Sequence, residues 1–200
     1  MITIGIELNH VVRNINRQII KYYIKEFNLD VDIDDIDDKE NVLETFAKFE
    51  SKYAKNNFIY IDYPYEIFGC AETSEKKLSV KITNWLTDIS NIEDEDIRIV
   101  FYSLNEEALT IQSTFFFLSK IGTRVREVFF PKTIDEIWNK CDVVITANDE
   151  VLSSKPNDKK AVKIIRKWNT DSESDMEYES LTSVIEDEKF IDKITNNETN

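Results

Sequence analysis

Short runs of apolar residues, many of them β-branched, recur along this chain and each run ends in polar residues. These runs predict four strands, at residues 2–7, 97–102, 125–130 and 142–146. Apolar runs of this length are typical of strands that are covered on both faces, as in a parallel sheet. Because helical segments separate the runs, we predict an α/β fold in which the first strand lies between the second and the fourth.

Apolar residues spaced at helical intervals predict the helices. The segments with this spacing are residues 14–27, 41–53, 78–89, 105–121 and 133–139. Gly122 lies just past the fourth segment, as expected of a helix C-cap, and Thr133 begins the fifth in the manner of a capping box.

A long insertion separates the first two predicted strands. Residues 14–95 are too many for a simple crossover connection, so they predict a mostly helical cap above the sheet. Within it, residues 58–69 (FIYIDYPYEIFG) are markedly aromatic. Such a stretch indicates either a surface for a partner or packing of the cap against the core, and we favour packing.

Polar side chains follow the predicted strands at the places where ligands bind in open α/β sheets. These residues are Glu7, Asn9, Ser103, Lys132 and Asp149. Because the carboxyl ends of parallel strands meet at one edge, we expect these side chains to converge on one cleft.

Residues 2–12 (ITIGIELNHVV) resemble the first motif of the haloacid dehalogenase-like (HAD-like) superfamily, in which an apolar strand leads into Asp-x-Asp-Gly-Thr/Val. An ordinary buried strand with a polar turn is the alternative interpretation. The resemblance extends to about residue 168 and implies a three-layer Rossmannoid core, formed by residues 1–13 and 96–169, with a cap inserted at residues 14–95.

The same resemblance implies roles for the residues at the strand ends. Glu7 and Asn9 replace the two aspartates, the nucleophile and the general acid. Ser103 stands where a hydroxyl binds the phosphoryl oxygen, and Lys132 where a lysine binds phosphate, although Lys120 and Lys155 are alternatives. The candidate metal ligands are Glu7 and Asp149.

The replacements remove the chemistry of an aspartyl phosphatase. Glu7 adds a methylene, which advances the carboxylate by roughly an ångström, and a misplacement of that size can cost about 10²-fold in rate. Asn9 has no proton to donate near neutral pH. His10 replaces a glycine and is expected to crowd the pocket. We therefore expect these positions to be vestigial, with no cofactor; an active enzyme would need Mg²⁺.

Charge is distributed unevenly along the chain. The net charge is −14, and residues 171–200 contain ten acids and two lysines. Direct binding of this segment to nucleic acid is therefore not expected, because phosphates repel carboxylates. Apolar residues between Leu181 and Ile194 interrupt this acidic segment. A solvated tail is one interpretation. We instead predict that residues 170–200 form an acidic assembly tail held by a neighbouring subunit.

Several classes of site are disfavoured by the sequence. The acidic run at residues 30–38 lacks a calcium loop's glycine and glutamate, since Asp35 and Asn41 stand at those positions. Three glycines leave no phosphate-binding glycine loop, and one histidine with two cysteines exclude a zinc cluster.

Cys70 and Cys141 fit a reducing compartment. No apolar run reaches the length of a membrane span and the first residues do not resemble a signal peptide, so we expect a cytoplasmic protein.

Among HAD-like proteins the chain most resembles small phage-encoded members, in which strand-one motifs, a Phe-x-Tyr…Ile-Phe-Gly cap segment and a Lys-Pro pair after the fourth strand, here Lys155-Pro156, occur together. The resemblance implies an inactive HAD-like protein that serves as a structural or assembly component of a bacteriophage virion, such as a connector or tail-ring subunit. Its partners would be other protein subunits or further copies, in the host cytoplasm or the virion. The alternative is an active Mg²⁺-dependent phosphatase or nucleotidase. A phosphate sensor that binds an anion through Ser103 and Lys132 is a third hypothesis.

Overall fold

A six-stranded parallel sheet forms the centre of the protein, in a computed structural model that describes residues 1–36, 42–45, 52–90 and 97–195. The strands are β1 (Ile2–Glu7), β2 (Ile97–Tyr102), β3 (Val128–Phe129), β4 (Val143–Thr146), β5 (Lys160–Ile164) and β6 (Met176–Tyr178). Their order is β3-β2-β1-β4-β5-β6. Ile2 pairs with Ile97 and Ile4 with Val143, which confirms that β1 lies between β2 and β4.

Helices connect the strands. They are α1 (Ile15–Glu26), α2 (Lys52–Asn57), α3 (Leu78–Ser90), α4 (Ala108–Ile121), α5 (Ile134–Lys140), α6 (Asp149–Ser153), α7 (Leu181–Ile185) and α8 (Phe190–Thr195). The other elements of the described ranges are two 3₁₀ turns, Ile33–Asp35 and Val42–Thr45, and two π-helical turns, Phe58–Asp62 and Tyr65–Gly69. In the part of the chain that the structure describes, no helix is long and apolar enough to cross a membrane.

The predicted helix limits agree with the structure at several capping residues. The Asn14 side chain accepts a hydrogen bond from the Arg17 amide, and Thr133 accepts one from the Glu136 amide. Gly122 adopts a left-handed conformation with φ 69° at the end of α4, the conformation that glycine favours. Of the helix predicted at residues 41–53, a 3₁₀ turn and the start of α2 are present, and residues 41 and 46–51 lie outside the described residues.

Helices cover both faces of the sheet, which confirms the predicted α/β layers. One face packs against α3, α4, α7 and α8 through a large apolar cluster that includes Ile4, Phe101, Phe117 and Val143. The other face packs against α5 and α6. A Cβ at Gly5 would point to this second face and come within 2.6 Å of the Cys141 sulfur, so a larger residue does not fit there.

A second apolar cluster lies in the inserted segment and is distinct from the clusters of the sheet. It joins α1 to the π-helical turns through residues that include Ile19, Tyr23, Phe58 and Phe68. Leu78, at the start of α3, instead belongs to the cluster of the sheet. The division into a core and a cap at residues 14–95 stays a prediction, and the packing favours placing its second boundary before α3.

The edges of the sheet differ from the prediction. The third strand, predicted at residues 125–130, is reduced to Val128–Phe129 because only these two residues pair with β2. β5 and β6 were not predicted. Lysines interrupt β5, and β6 has three residues in an acidic stretch, so neither shows a clear apolar run.

The C-terminal segment is part of the fold, which corrects the prediction that its apolar residues pack against a neighbouring subunit. Leu181, Val184, Phe190 and Ile194 are buried in the cluster that covers the sheet. The ring of Phe190 lies 6.0 Å from that of Trp85 in α3. Of the acidic residues between them, Glu186, Glu188 and Asp192 are exposed, and Asp187 accepts hydrogen bonds from Tyr178 and Lys193. A partner for residues 170–195 therefore cannot use these apolar side chains, and residues 196–200 lie outside the described part.

Candidate functional site

Glu7, the last residue of β1, turns its carboxylate toward the end of β4. Its Oε2 accepts hydrogen bonds from the Thr146 hydroxyl at 2.6 Å and from the Ala147 amide at 2.9 Å. The residue is buried. Tyr102 lies nearby, and burial, reinforced by the charge of Glu7, raises the pKa of its phenol well above the ordinary value. The carboxylate is thus fixed by the protein in a position of low polarity.

A tight turn after β1 directs Arg13 across the carboxyl edge of the sheet. The Arg13 amide bonds to the Leu8 carbonyl, and the His10 amide bonds to the Arg13 carbonyl. The side chain is fully buried, with its guanidinium 5.0 Å from the Phe68 ring and 5.6 Å from the Phe117 ring. Arg13 therefore lies where the first strand, α4 and the inserted segment meet.

Five protein atoms accept hydrogen bonds from the Arg13 guanidinium. They are Asn9 Oδ1 (2.8 Å), the Phe68 carbonyl (3.2 Å), Thr114 Oγ1 (2.7 Å), Ser103 Oγ (3.4 Å) and Glu106 Oε1, which forms an ion pair. A guanidinium has five N–H donors, so the protein itself provides an acceptor for each of them.

The partner carboxylate of Glu106 is as deeply buried as Arg13. It is 1% exposed, and its second oxygen accepts a hydrogen bond from Thr114 at 2.7 Å. Burial lowers the pKa of Arg13, and the Glu106 charge opposes that shift. A buried pair of this kind is costly to break, since the remaining charge loses its partner where bulk solvent does not reach it.

Ser103 and Asn9 reach the same cluster, as the sequence predicts, but their polar atoms bond to Arg13. Lys132 lies beside the cluster, where its ammonium donates to the Glu106 carbonyl at 2.7 Å. The two alternative lysines point elsewhere. Lys120 donates to the Ala71 carbonyl, and Lys155 donates to the Lys159 carbonyl and to Asp175.

Asp149 belongs to a different set of contacts. It is the first residue of α6, and its carboxylate accepts a hydrogen bond from the Ser172 hydroxyl. The described residues contain no group of three or more His, Cys, Asp or Glu side chains suited to a metal. The donor set fits Mg²⁺ poorly, because Mg²⁺ demands octahedral oxygen ligands and the Arg13 cation is close enough to Glu7 to interact with its charge.

His10 occupies the left-handed region with φ 65° and packs against Trp168. The two rings meet edge to face with centroids 5.3 Å apart, and Arg166 donates to the His10 carbonyl at 2.8 Å. His10 lines a cavity of about 210 Å³ together with Arg166 and Trp168. Burial, with Arg166 and Arg13, lowers the pKa of the imidazole from 6.5 to about 3.

The stability of the folded protein should therefore decrease as the pH is lowered and His10 becomes protonated in the unfolded chain. Between pH 6.5 and 3 the unfolded chain binds a proton at His10 that the folded chain does not bind. The contribution of neutral His10 to the free energy of unfolding is therefore complete above pH 6.5 and is lost as the pH falls. By pH 5 the loss should be about 1–2 kcal/mol, since the ring is only partly covered. Urea unfolding of wild type and His10→Asn at pH 7.5 and 5 measures it. Asparagine tolerates the left-handed conformation, and an equal loss in both proteins would contradict the assignment.

Arg13, Glu106 and Thr114 were not found by sequence reasoning. Asn9 and Arg13 are four residues apart in a turn that no repeating pattern marks, and Glu106 stands in an ordinary acidic pair with Glu107. The one signal was a basic residue close to a strand end in a chain of net charge −14.

Comparison with known proteins agrees with this geometry at the level of the fold. The chain has an α/β fold similar to that of a dehalogenase of known structure. One similar solved structure is the crystal structure of a dehalogenase, with a TM-score of 0.52 and 8% sequence identity over 92% of this chain and 95% of that one. No family model and no curated protein matches the sequence. At this identity the likeness concerns the fold alone.

Proposed function

We propose that this chain is a catalytically inactive HAD-like protein that acts as a structural or assembly component by binding other proteins. The observation that supports the proposal is the set of five hydrogen bonds that Arg13 makes with the protein at the carboxyl edge of the sheet. A phosphate bound there would have to displace acceptors that already satisfy a fully buried cation.

The remaining groups support the same proposal. An aspartyl nucleophile needs a carboxylate free to align with phosphorus, whereas Glu7 is longer and is held by Thr146 and Ala147. Asn9 cannot act as a general acid, and its carbonyl oxygen accepts from Arg13. A phosphate sensor would need Ser103 and Lys132, whose polar atoms bond to Arg13 and to the Glu106 carbonyl.

The finer form of the proposal is a connector or tail-ring subunit of a bacteriophage particle. It rests on the resemblance to phage-encoded sequences alone. The alternative, an active Mg²⁺-dependent phosphatase or nucleotidase, keeps one point in its favour, because Glu7 does stand at the end of the central strand.

A turnover assay separates these functions. We expect hydrolysis of an aryl phosphate and of a nucleotide panel, with Mg²⁺, to be equal for wild type and Glu7→Gln. Glutamine keeps the oxygen that accepts from Thr146 and Ala147, so the variant should fold normally, which circular dichroism can check. Wild-type turnover about tenfold or more above the variant would contradict the proposal and support the enzyme, since loss of a nucleophile costs far more than that.

A further inference from the structure

A cavity of about 340 Å³ lies at the amino edge of the sheet. It is bounded by the end of α3, the first residues of β2 and the segment at residues 124–127, which precedes β3. Since the strands are parallel, this edge is opposite the one that carries Glu7 and Arg13. Cavities of this size hold small molecules, and this one shares no residue with the candidate functional site.

The inner wall of the cavity belongs to the hydrophobic core. Its apolar side chains are Leu86, Ile89, Ile97, Ile99, Phe101 and Val125, all members of the cluster that covers the sheet or packed against it. Only one of the six is aromatic, so the wall offers few contacts to a flat ring. It suits an alkyl chain, which gains by burial against aliphatic side chains.

The backbone at residues 126–128 places Arg126 on the side of the cavity. The Glu127 carbonyl accepts a hydrogen bond from the Phe101 amide at 3.0 Å, so the pairing with β2 already begins there. Val128 packs against the cluster of the sheet, whereas the Glu127 carboxylate pairs with Arg98. Because successive side chains of an extended segment alternate, Arg126 lies on the side of Val128, and so does the apolar wall.

Two arginines line the cavity without a protein partner. Arg124 and Arg126 are exposed, and among the described residues neither side chain forms an ion pair or a hydrogen bond. The lining contains three arginines and one glutamate, so it is locally positive in a chain of net charge −14. An apolar wall beside unpaired guanidinium groups is complementary to a ligand that is apolar at one end and anionic at the other.

We propose that this cavity binds a free medium-chain fatty acid, with its alkyl chain against the core wall and its carboxylate at Arg124 and Arg126. A water molecule fills about 30 Å³ and a methylene group is of similar size, so the cavity holds about eleven non-hydrogen atoms, close to the number in octanoate. The proposal goes beyond the assembly role and does not depend on it.

Isothermal titration calorimetry of the full chain with octanoate at pH 7.5 tests the proposal. We expect one octanoate per chain and a dissociation constant of about 30–300 µM, as is reasonable for a ligand of this size. The neutral analogue 1-octanol keeps the alkyl chain and lacks the carboxylate. It should bind about tenfold more weakly, because it makes no charge-assisted hydrogen bonds to the arginines.

Removal of the two guanidinium groups tests the position of the carboxylate. Arg124→Gln/Arg126→Gln should weaken octanoate binding about tenfold and leave 1-octanol binding unchanged. Lys76→Gln/Lys77→Gln is the matched control, because it also removes two exposed cations. These lysines precede α3, at the opposite end of that helix from the cavity, so the control should bind octanoate like the wild type.

A variant that fills the cavity separates the alkyl contacts from the charge. Val125→Trp adds bulk at a half-buried position of the lining, so it should abolish binding of both octanoate and 1-octanol. Circular dichroism checks that it folds, and the exposed arginine variants test the proposal independently of it.

Three results would overturn the proposal. They are the absence of saturable octanoate binding up to about 3 mM, equal affinity of the wild type for octanoate and 1-octanol, and equal affinity of the arginine variant and the lysine control for octanoate. Arginines that only protect the free edge of β3 would give such results. So would a cavity covered by residues 91–96 of the same chain, which contain four acids and lie outside the described residues. None of these results bears on phosphatase turnover, which tests the proposed function separately.

Discussion

Truncation of the chain after Asn169 is expected to abolish the folded state. The cut removes β6, α7 and α8, and with them four buried side chains, Leu181, Val184, Phe190 and Ile194. Each contributes about 1.5–3 kcal/mol through burial, so the loss of roughly 6–12 kcal/mol is comparable to the whole stability of a domain. Urea unfolding followed by circular dichroism should show no cooperative transition.

Truncation after Thr195 is the matched control. It removes the last five residues and none of the buried side chains of α8, so its unfolding midpoint should equal that of the full chain. If truncation after Asn169 leaves the same midpoint as the control, the C-terminal segment is a separate tail and the described packing is wrong.

Removal of the Arg13 side chain should also destabilise the fold severely. Arg13→Met leaves Glu106 buried without its cation, which costs about 3–5 kcal/mol. The double variant Arg13→Met/Glu106→Leu removes both charges, so its loss should be smaller than the sum of the two single losses. Urea unfolding of the wild type, both single variants and the double variant gives the coupling between them.

Arg17→Met provides the control for this cycle. Arg17 forms a similar ion pair with Asp34, but the two side chains are 51% and 71% exposed. Exposed pairs contribute little, so its loss should be below about 1 kcal/mol. An Arg13→Met variant no less stable than Arg17→Met would show that the buried pair does not hold the carboxyl edge together.

The central strands could be predicted from sequence because burial on both faces demands continuous apolar residues. Ile2, Ile97 and Val143 stand in such runs, and their pairing is as predicted. β5 was not predicted because Lys163 interrupts its apolar run. That lysine is 2% exposed, and its ammonium bonds to the Ser172 carbonyl and pairs with Glu177. No local sequence pattern predicts these contacts.

The C-terminal segment was misread for a related reason. Its acid count dominates the composition, but the buried positions are few and lie in helices of only five and six residues. Short helices offer one or two turns of periodicity, too little to show which surface they cover. Packing against α3 decides their place, and that contact joins residues about 100 positions apart.

The candidate site shows the same limit. Glu7 and Asn9 stand where the resemblance to HAD-like proteins implies catalytic aspartates, and from this the sequence predicts lost activity. The residue that occupies the edge, Arg13, was not visible. Its five acceptors come from four separate segments, at residues 9, 68, 103–106 and 114, which only the folded chain brings together.

The most direct test of the central claim is a crystal structure of the full chain with Mg²⁺ and beryllofluoride, a mimic of a phosphoryl group. We predict that the Arg13 guanidinium remains bonded to Asn9, Ser103 and Glu106, and that no ligand is attached to Glu7. A beryllofluoride adduct on the Glu7 carboxylate, with Mg²⁺ beside it and Arg13 displaced, would contradict the account.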